Sequence, residues 1–199
     1  MIQQQQRGII ENRMEELTKH KAYEMLKTTY KECLLDYVIL LCDEEYSGQI
    51  THKKAVIKAF EIINARFQGA GRYPYLSITA EEQMTALKCD MDRFLELPES
   101  KCYKTKELKK NRSYIQIPEV LPYWFAFLDP PYPNSYILSD FIKLNKVLFP
   151  FPDSCEVYRW KDDFSDYFEM GKEWWGTGCW SIYDSVTKIF VVIGASLTD

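Results

Sequence analysis

Apolar positions in the first quarter of the chain recur at helical spacing. Between Ile9 and Tyr46 there is neither glycine nor proline, and Leu26, Tyr30, Cys33, Leu34, Tyr37, Val38 and Leu41 follow steps of one, three and four. That period predicts helices with one inward-facing stripe, broken near Thr18–His20 because a single helix of that length would be unusual. Tyr37–Cys42 is apolar all round and is expected deep in the core. Gly48 closes this stretch and Thr51 caps the next helix, where Val56, Phe60, Ile63 and Phe67 keep a 3.6-residue period. Gly69–Tyr75 reads as a turn. Thr79 with Glu82 has the form of a capping box, and the helix it opens would bury Met84, Leu87, Met91, Phe94 and Leu95 before Pro98.

The pattern then changes. Lys101–Arg112 holds six basic residues and one acid and reads as an exposed connector, followed by a short strand at Tyr114–Ile117. Tyr123–Leu128 is an aromatic run of strand length stopped by Asp129-Pro130-Pro131. Residues 135–148 suit a helix, Cys155–Trp160 a strand, and Asp163–Met170 a short helix ending at Gly171. Cys179–Tyr183 and Lys188–Ala195 read as a hairpin, and the last run is apolar on both faces, which favours a central position in a sheet. The expected architecture is α+β: an N-terminal bundle of three or four helices packed on a small C-terminal mixed sheet with two helices and a terminal β-hairpin. Residues 1–98 form the helical region, 99–118 the basic connector and 119–199 the α+β region, and the whole can form one compact domain.

Composition narrows the classes. The 199 residues are 46% apolar and 27% charged with a net charge of −4, which argues against a nucleic-acid partner bound through its phosphates. The charge is uneven: residues 1–118 carry 19 Lys/Arg against 17 Asp/Glu, and residues 119–199 carry 6 against 12. No run is long and apolar enough for a membrane span, and Met1–Arg13 lacks the apolar core of a signal peptide. The six cysteines form no C-x-x-C pair and only two histidines exist, so reduced thiols in a cytoplasmic protein are expected and a metal site or other cofactor is not.

Candidate chemistry is sparse. His20 and His52 both lie at expected helix starts and read as surface histidines, with no nucleophile turn beside them. Asp43–Lys54 resembles the calcium loop of an EF-hand at Asp43, Glu45, Ser47, Gly48, Ile50 and Thr51, but Lys54 stands where a bidentate glutamate is needed; a glycine turn between helices is the preferred reading. Asp129-Pro130-Pro131-Tyr132 resembles the D-P-P-Y motif of amino-methyltransferases that act on adenine, with Phe67–Gly71 in the form of the partner glycine motif. That resemblance implies S-adenosylmethionine and a flipped-out base stacked on Tyr132. Read from its own residues, the stretch is a proline-rich turn.

The densest chemistry lies in residues 160–199, which hold four of the five tryptophans. Trp174 and Trp175 are adjacent, and successive side chains of an extended backbone face opposite sides, so one of the two is expected at the surface. With Trp160, Asp162, Asp163, Asp166, Glu169 and Glu173 they make a candidate partner-binding face, and Arg159 and Lys161 read as charge balance. No catalytic set accompanies them. The expectation is a non-catalytic intracellular module that binds a basic protein, one version being a bacterial immunity-type protein occupying a toxin. The alternatives are the methyltransferase-like reading and carbohydrate binding by exposed tryptophans.

Overall fold

The last strand of the chain lies near the centre of the sheet it completes. The computed structural model describes residues 14–70, 83–97, 121–132 and 134–197. In order they form β1 (Met14–Glu16), α1 (Lys21–Thr28), β2 (Asp36–Cys42), α2 (Gln49–Gly69), β3 (Ala86–Cys89), α3 (Met91–Phe94), α4 (Tyr123–Leu128), α5 (Leu138–Leu148), β4 (Cys155–Trp160), α6 (Glu169–Glu173), β5 (Gly176–Asp184) and β6 (Ile189–Leu197). Short 3-10 turns at Pro152–Ser154 and Asp166–Phe168 precede β4 and α6. The six strands run β1-β2-β6-β5-β4-β3, and every pair is antiparallel.

Both faces of the sheet are covered. Alternation along the strands sends Tyr37, Ile39, Trp180, Ile182, Val191 and Ile193 into one core with α1, α4 and α5. Their neighbours Val38, Leu40, Cys179, Tyr183, Phe190 and Val192 enter a second core with α2 and the rings of Phe164 and Phe168. Because side chains on both sides are buried, β2 and β6 carry no polar-outward half, which is why their sequences read as continuous apolar runs.

The fold is α+β, but the expected N-terminal helical bundle is not present, since β1, β2 and β3 all come from the first 98 residues. The stripe assigned to one helical stretch is divided: α1 ends at Thr28, and Tyr37–Cys42 is a strand. Its residues do lie deep in the core, apart from the half-exposed Leu41. Strand β2 was hidden because a short run buried on both faces has no period to separate it from a helix. The same ambiguity reverses Tyr123–Leu128, an expected strand that is helix α4, with Tyr123 Oη donating to Asn145 Oδ1 of α5 at 2.9 Å. Ala86–Cys89 is a strand where a helix was expected, and the C-terminal sheet is not mixed. Gly48, not Thr51, stands before α2; Thr51 is buried in its first turn and accepts the Ser47 N–H at 2.7 Å. The EF-hand-like stretch therefore follows a strand and runs into α2, and its Lys54 pairs with Glu44 at 2.9 Å. Helices α2 and α5, strand β4 and the β5–β6 hairpin fall where the sequence put them. The capping box, the basic connector and the strand at 114–117 lie outside the described residues.

Two glycines shape the start of β5. Gly176 has a φ of 119°, which an L side chain rarely adopts. Gly178 lies under the indole of Trp180, and an added Cβ would fall 2.1 Å from a ring carbon. Gly178→Ala must therefore displace Trp180 and is expected to lower stability by about 1–3 kcal/mol in urea unfolding. Gly69→Ala, where a Cβ meets nothing within 4 Å, is the control and should stay within about 0.5 kcal/mol of the parent. Equal effects of the two substitutions would contradict the close Trp180 contact.

Candidate functional site

Strand β4 brings its last residues, Arg159 and Trp160, beside Leu87 and Ala86 of β3 and beside Trp180 and Cys179 of β5. At this end of the sheet the α6–β5 connection passes close to Leu121, and the walls enclose a cleft of about 740 Å³. That volume is in the range of small-molecule sites, roughly 300–1,000 Å³. Its walls include Trp160, Trp174, Trp175, Arg159, Lys161 and Asp162.

The three indoles are held differently. Trp160 is buried, and its Nε1–H donates to Ser181 Oγ at 2.8 Å. Trp175 is half-buried; its Nε1–H donates to the Asp129 carbonyl at 2.9 Å, and its ring lies nearly parallel to Phe125 with centroids 6.2 Å apart. Its backbone N–H donates to the Leu197 carbonyl, so the sheet has already begun at this residue. Trp174 closes α6 with φ −122° and ψ −87°, and its side chain is 57% exposed. The adjacent pair thus divides as expected: Trp175 turns in and Trp174 out.

The cations are also unequal. Lys172 lies on the cleft wall and pairs with Glu169 at 2.9 Å; this hydrogen bond holds its ammonium above the ordinary value, with Asp162 and Asp163 adding attraction. Asp162 itself accepts from the Thr177 hydroxyl. Arg159 is different: its Nε is buried with no hydrogen-bond partner among the described residues. A sealed donor without an acceptor costs about 1–3 kcal/mol.

Of the eight residues proposed from sequence, Trp160, Asp162, Trp174 and Trp175 line the cleft. Asp163, Asp166, Glu169 and Glu173 are exposed along the connection and α6 and do not line it. Arg159 and Lys161, read from sequence as charge balance, belong to the cleft wall. Leu121 and Thr85 also line the cleft and were not found, since nothing local signals that the fold brings them there.

A second constellation adjoins the cleft through Trp160. His52, expected at the surface, is fully buried: its Nδ1 is 2.7 Å from Ser181 Oγ and its Nε2 3.1 Å from Tyr46 Oη. Ser181 is as buried as His52, so this serine–histidine contact is closed to any substrate and serves to hold Trp160. Burial also pushes the Cys33 and Cys155 thiols up to about 12 and raises that of Cys179, which leaves these three poor nucleophiles. Among the described residues no group of three or more His, Cys, Asp or Glu side chains is placed to hold a metal ion, and no helix is long and apolar enough to cross a membrane.

The D-P-P-Y stretch departs from the context its resemblance implies. It follows helix α4 rather than a strand, Asp129 is buried, and the Asp129 carbonyl is taken by Trp175. The Phe67–Gly71 match begins inside α2 and runs beyond the described residues. No known protein family, curated protein or solved structure matches the chain.

Burial lowers the His52 imidazole to about 3, with Lys88 adding in the same direction and Ser181 opposing. In the unfolded chain the ring titrates near 6.5. As pH falls from about 6.5 towards 3, the unfolded state takes a proton that the folded state refuses. The stabilisation is complete above 6.5 and is lost below it, at up to about 1.4 kcal/mol per pH unit. His52→Gln should flatten the decline in urea-unfolding stability between pH 6.5 and 4. An unchanged slope would contradict a neutral, buried His52.

Proposed function

We propose that this chain is a non-catalytic protein-binding module whose recognition face is the segment from Asp163 to Trp174. The observation that carries this reading is the exposure of two large apolar side chains among acids. Trp174 is 57% and Met170 62% exposed, and Asp163, Asp166, Glu169 and Glu173 are exposed around them. Tryptophan is enriched among residues that dominate binding energy, and surrounding carboxylates would steer a basic partner. One concrete form is an immunity-type protein that covers the basic site of a toxin.

Support also comes from what holds this face. Glycine 171 sits so close to β6 that an added Cβ would meet the Leu197 backbone nitrogen at 2.9 Å, so α6 is pressed against the sheet. Glu169, Met170 and Glu173 therefore project from a fixed helix, and Trp174 follows at its end. A rigid face loses little conformational entropy on binding.

The test uses a partner isolated on the parent protein and then purified for binary titration. Trp174→Ala is expected to weaken it at least tenfold through a faster off-rate, and Glu169→Lys with Glu173→Lys to slow association and reduce its salt dependence. Melting temperatures should stay within about 2 °C of the parent, because both sites are exposed. Unchanged affinity in both variants would overturn the assignment of this face.

A further inference from the structure

The acidic face and the cleft beside it differ in sign. The cleft wall carries Arg159, Lys161 and Lys172 against the single carboxylate of Asp162. Of these, Lys172 is engaged by Glu169, while Asp162 is engaged by Thr177 and drawn on by Lys172. That leaves Arg159, which lines the cleft and whose buried Nε has no acceptor among the described residues, and the exposed Lys161 as the wall cations not paired with a carboxylate among the described residues. The same cleft is lined by indoles, two of which are fixed through their ring N–H groups by Ser181 and the Asp129 carbonyl.

From this juxtaposition we propose that the cleft binds a small ligand in which a flat aromatic ring carries a carboxylate or phosphate. The anionic group would lie on Arg159 and Lys161, because a planar guanidinium offers parallel donors to two oxygens of one anion and an ammonium adds a point charge. The ring would lie against the tryptophans, with Trp174 free to close over it, since aromatic faces stack with little sequence or substituent preference. The cleft volume of about 740 Å³ accommodates one such molecule and not a folded segment of a partner. Ligand binding in the cleft is independent of any protein bound at the acidic face. The two sites touch at Trp174, which lines the cleft and also stands exposed beside α6.

The experiment is calorimetric titration of the whole chain with indole-3-acetate and with adenosine 5′-monophosphate, which separates a carboxylate source from a phosphate source. Tryptophol and adenosine are the matching neutral compounds. At least one anionic compound should bind with 1:1 stoichiometry, about tenfold or more tighter than its neutral counterpart, and more weakly as salt is raised. Arg159→Met and Lys161→Met should each weaken that compound about tenfold, with near-unchanged binding of the neutral one. The Lys161 side chain is exposed, so its variant remains decisive if Arg159→Met fails to fold. No binding of either anion at millimolar concentration would overturn the proposal, and so would equal affinity for the charged and neutral compounds. Unaltered binding by the folded cation variants would overturn it as well.

Discussion

One turn of backbone decides how this end of the molecule is used. At Trp174 the chain leaves α6, and at Trp175 its N–H already pairs with the Leu197 carbonyl of β6. Gly176 follows in a conformation that a side chain would resist. Adjacent indoles cannot share a side under these constraints. Trp175 is drawn in against Phe125 and the Asp129 carbonyl, and Trp174 is left projecting.

The floor beneath is rigid for a separate reason. Trp160 is tied through Ser181 to His52 of α2, so a polar thread runs from the cleft wall through the second core. Each buried polar atom on that thread has a partner, which is the condition under which such groups specify geometry rather than weaken a core. On the other face of β5, the Trp180 ring packs close against Gly178 on the strand that carries Ser181. Rings from both cores therefore brace the same strand, and the cleft inherits their stiffness. The surface outside α6 is acidic while the cleft wall is cationic, so charge separates two regions that share Trp174.

Sequence patterning found the elements whose period was distinct. Helices α2 and α5 show 3.6-residue spacing, and the β5–β6 hairpin has a clear turn at Asp184–Thr187. It failed where burial on every side erased the period. Strand β2 was read as helix and helix α4 as strand, and in both the tertiary environment decided between equal local options. The division of the tryptophan pair was expected from strand alternation, but the chain reaches it by another route, with Trp174 at the end of α6 and β5 starting only at Gly176. Arg159 was not legible, because its meaning comes from the pairing of Leu87 with Arg159 across many residues of sequence. His52 was misplaced for a like reason: a helix-start histidine gives no sign that a serine 129 positions later will meet it.

Both proposed sites need Trp174 outside, with Trp160 and Trp180 buried and Trp124 and Trp175 half-buried. Acrylamide quenching of the native protein, compared with Trp174→Phe and Trp175→Phe variants, tests this most directly. Loss of most of the readily quenched emission in Trp174→Phe alone is the predicted result. Its persistence in Trp174→Phe, with loss in Trp175→Phe instead, would contradict the arrangement on which both proposed sites depend.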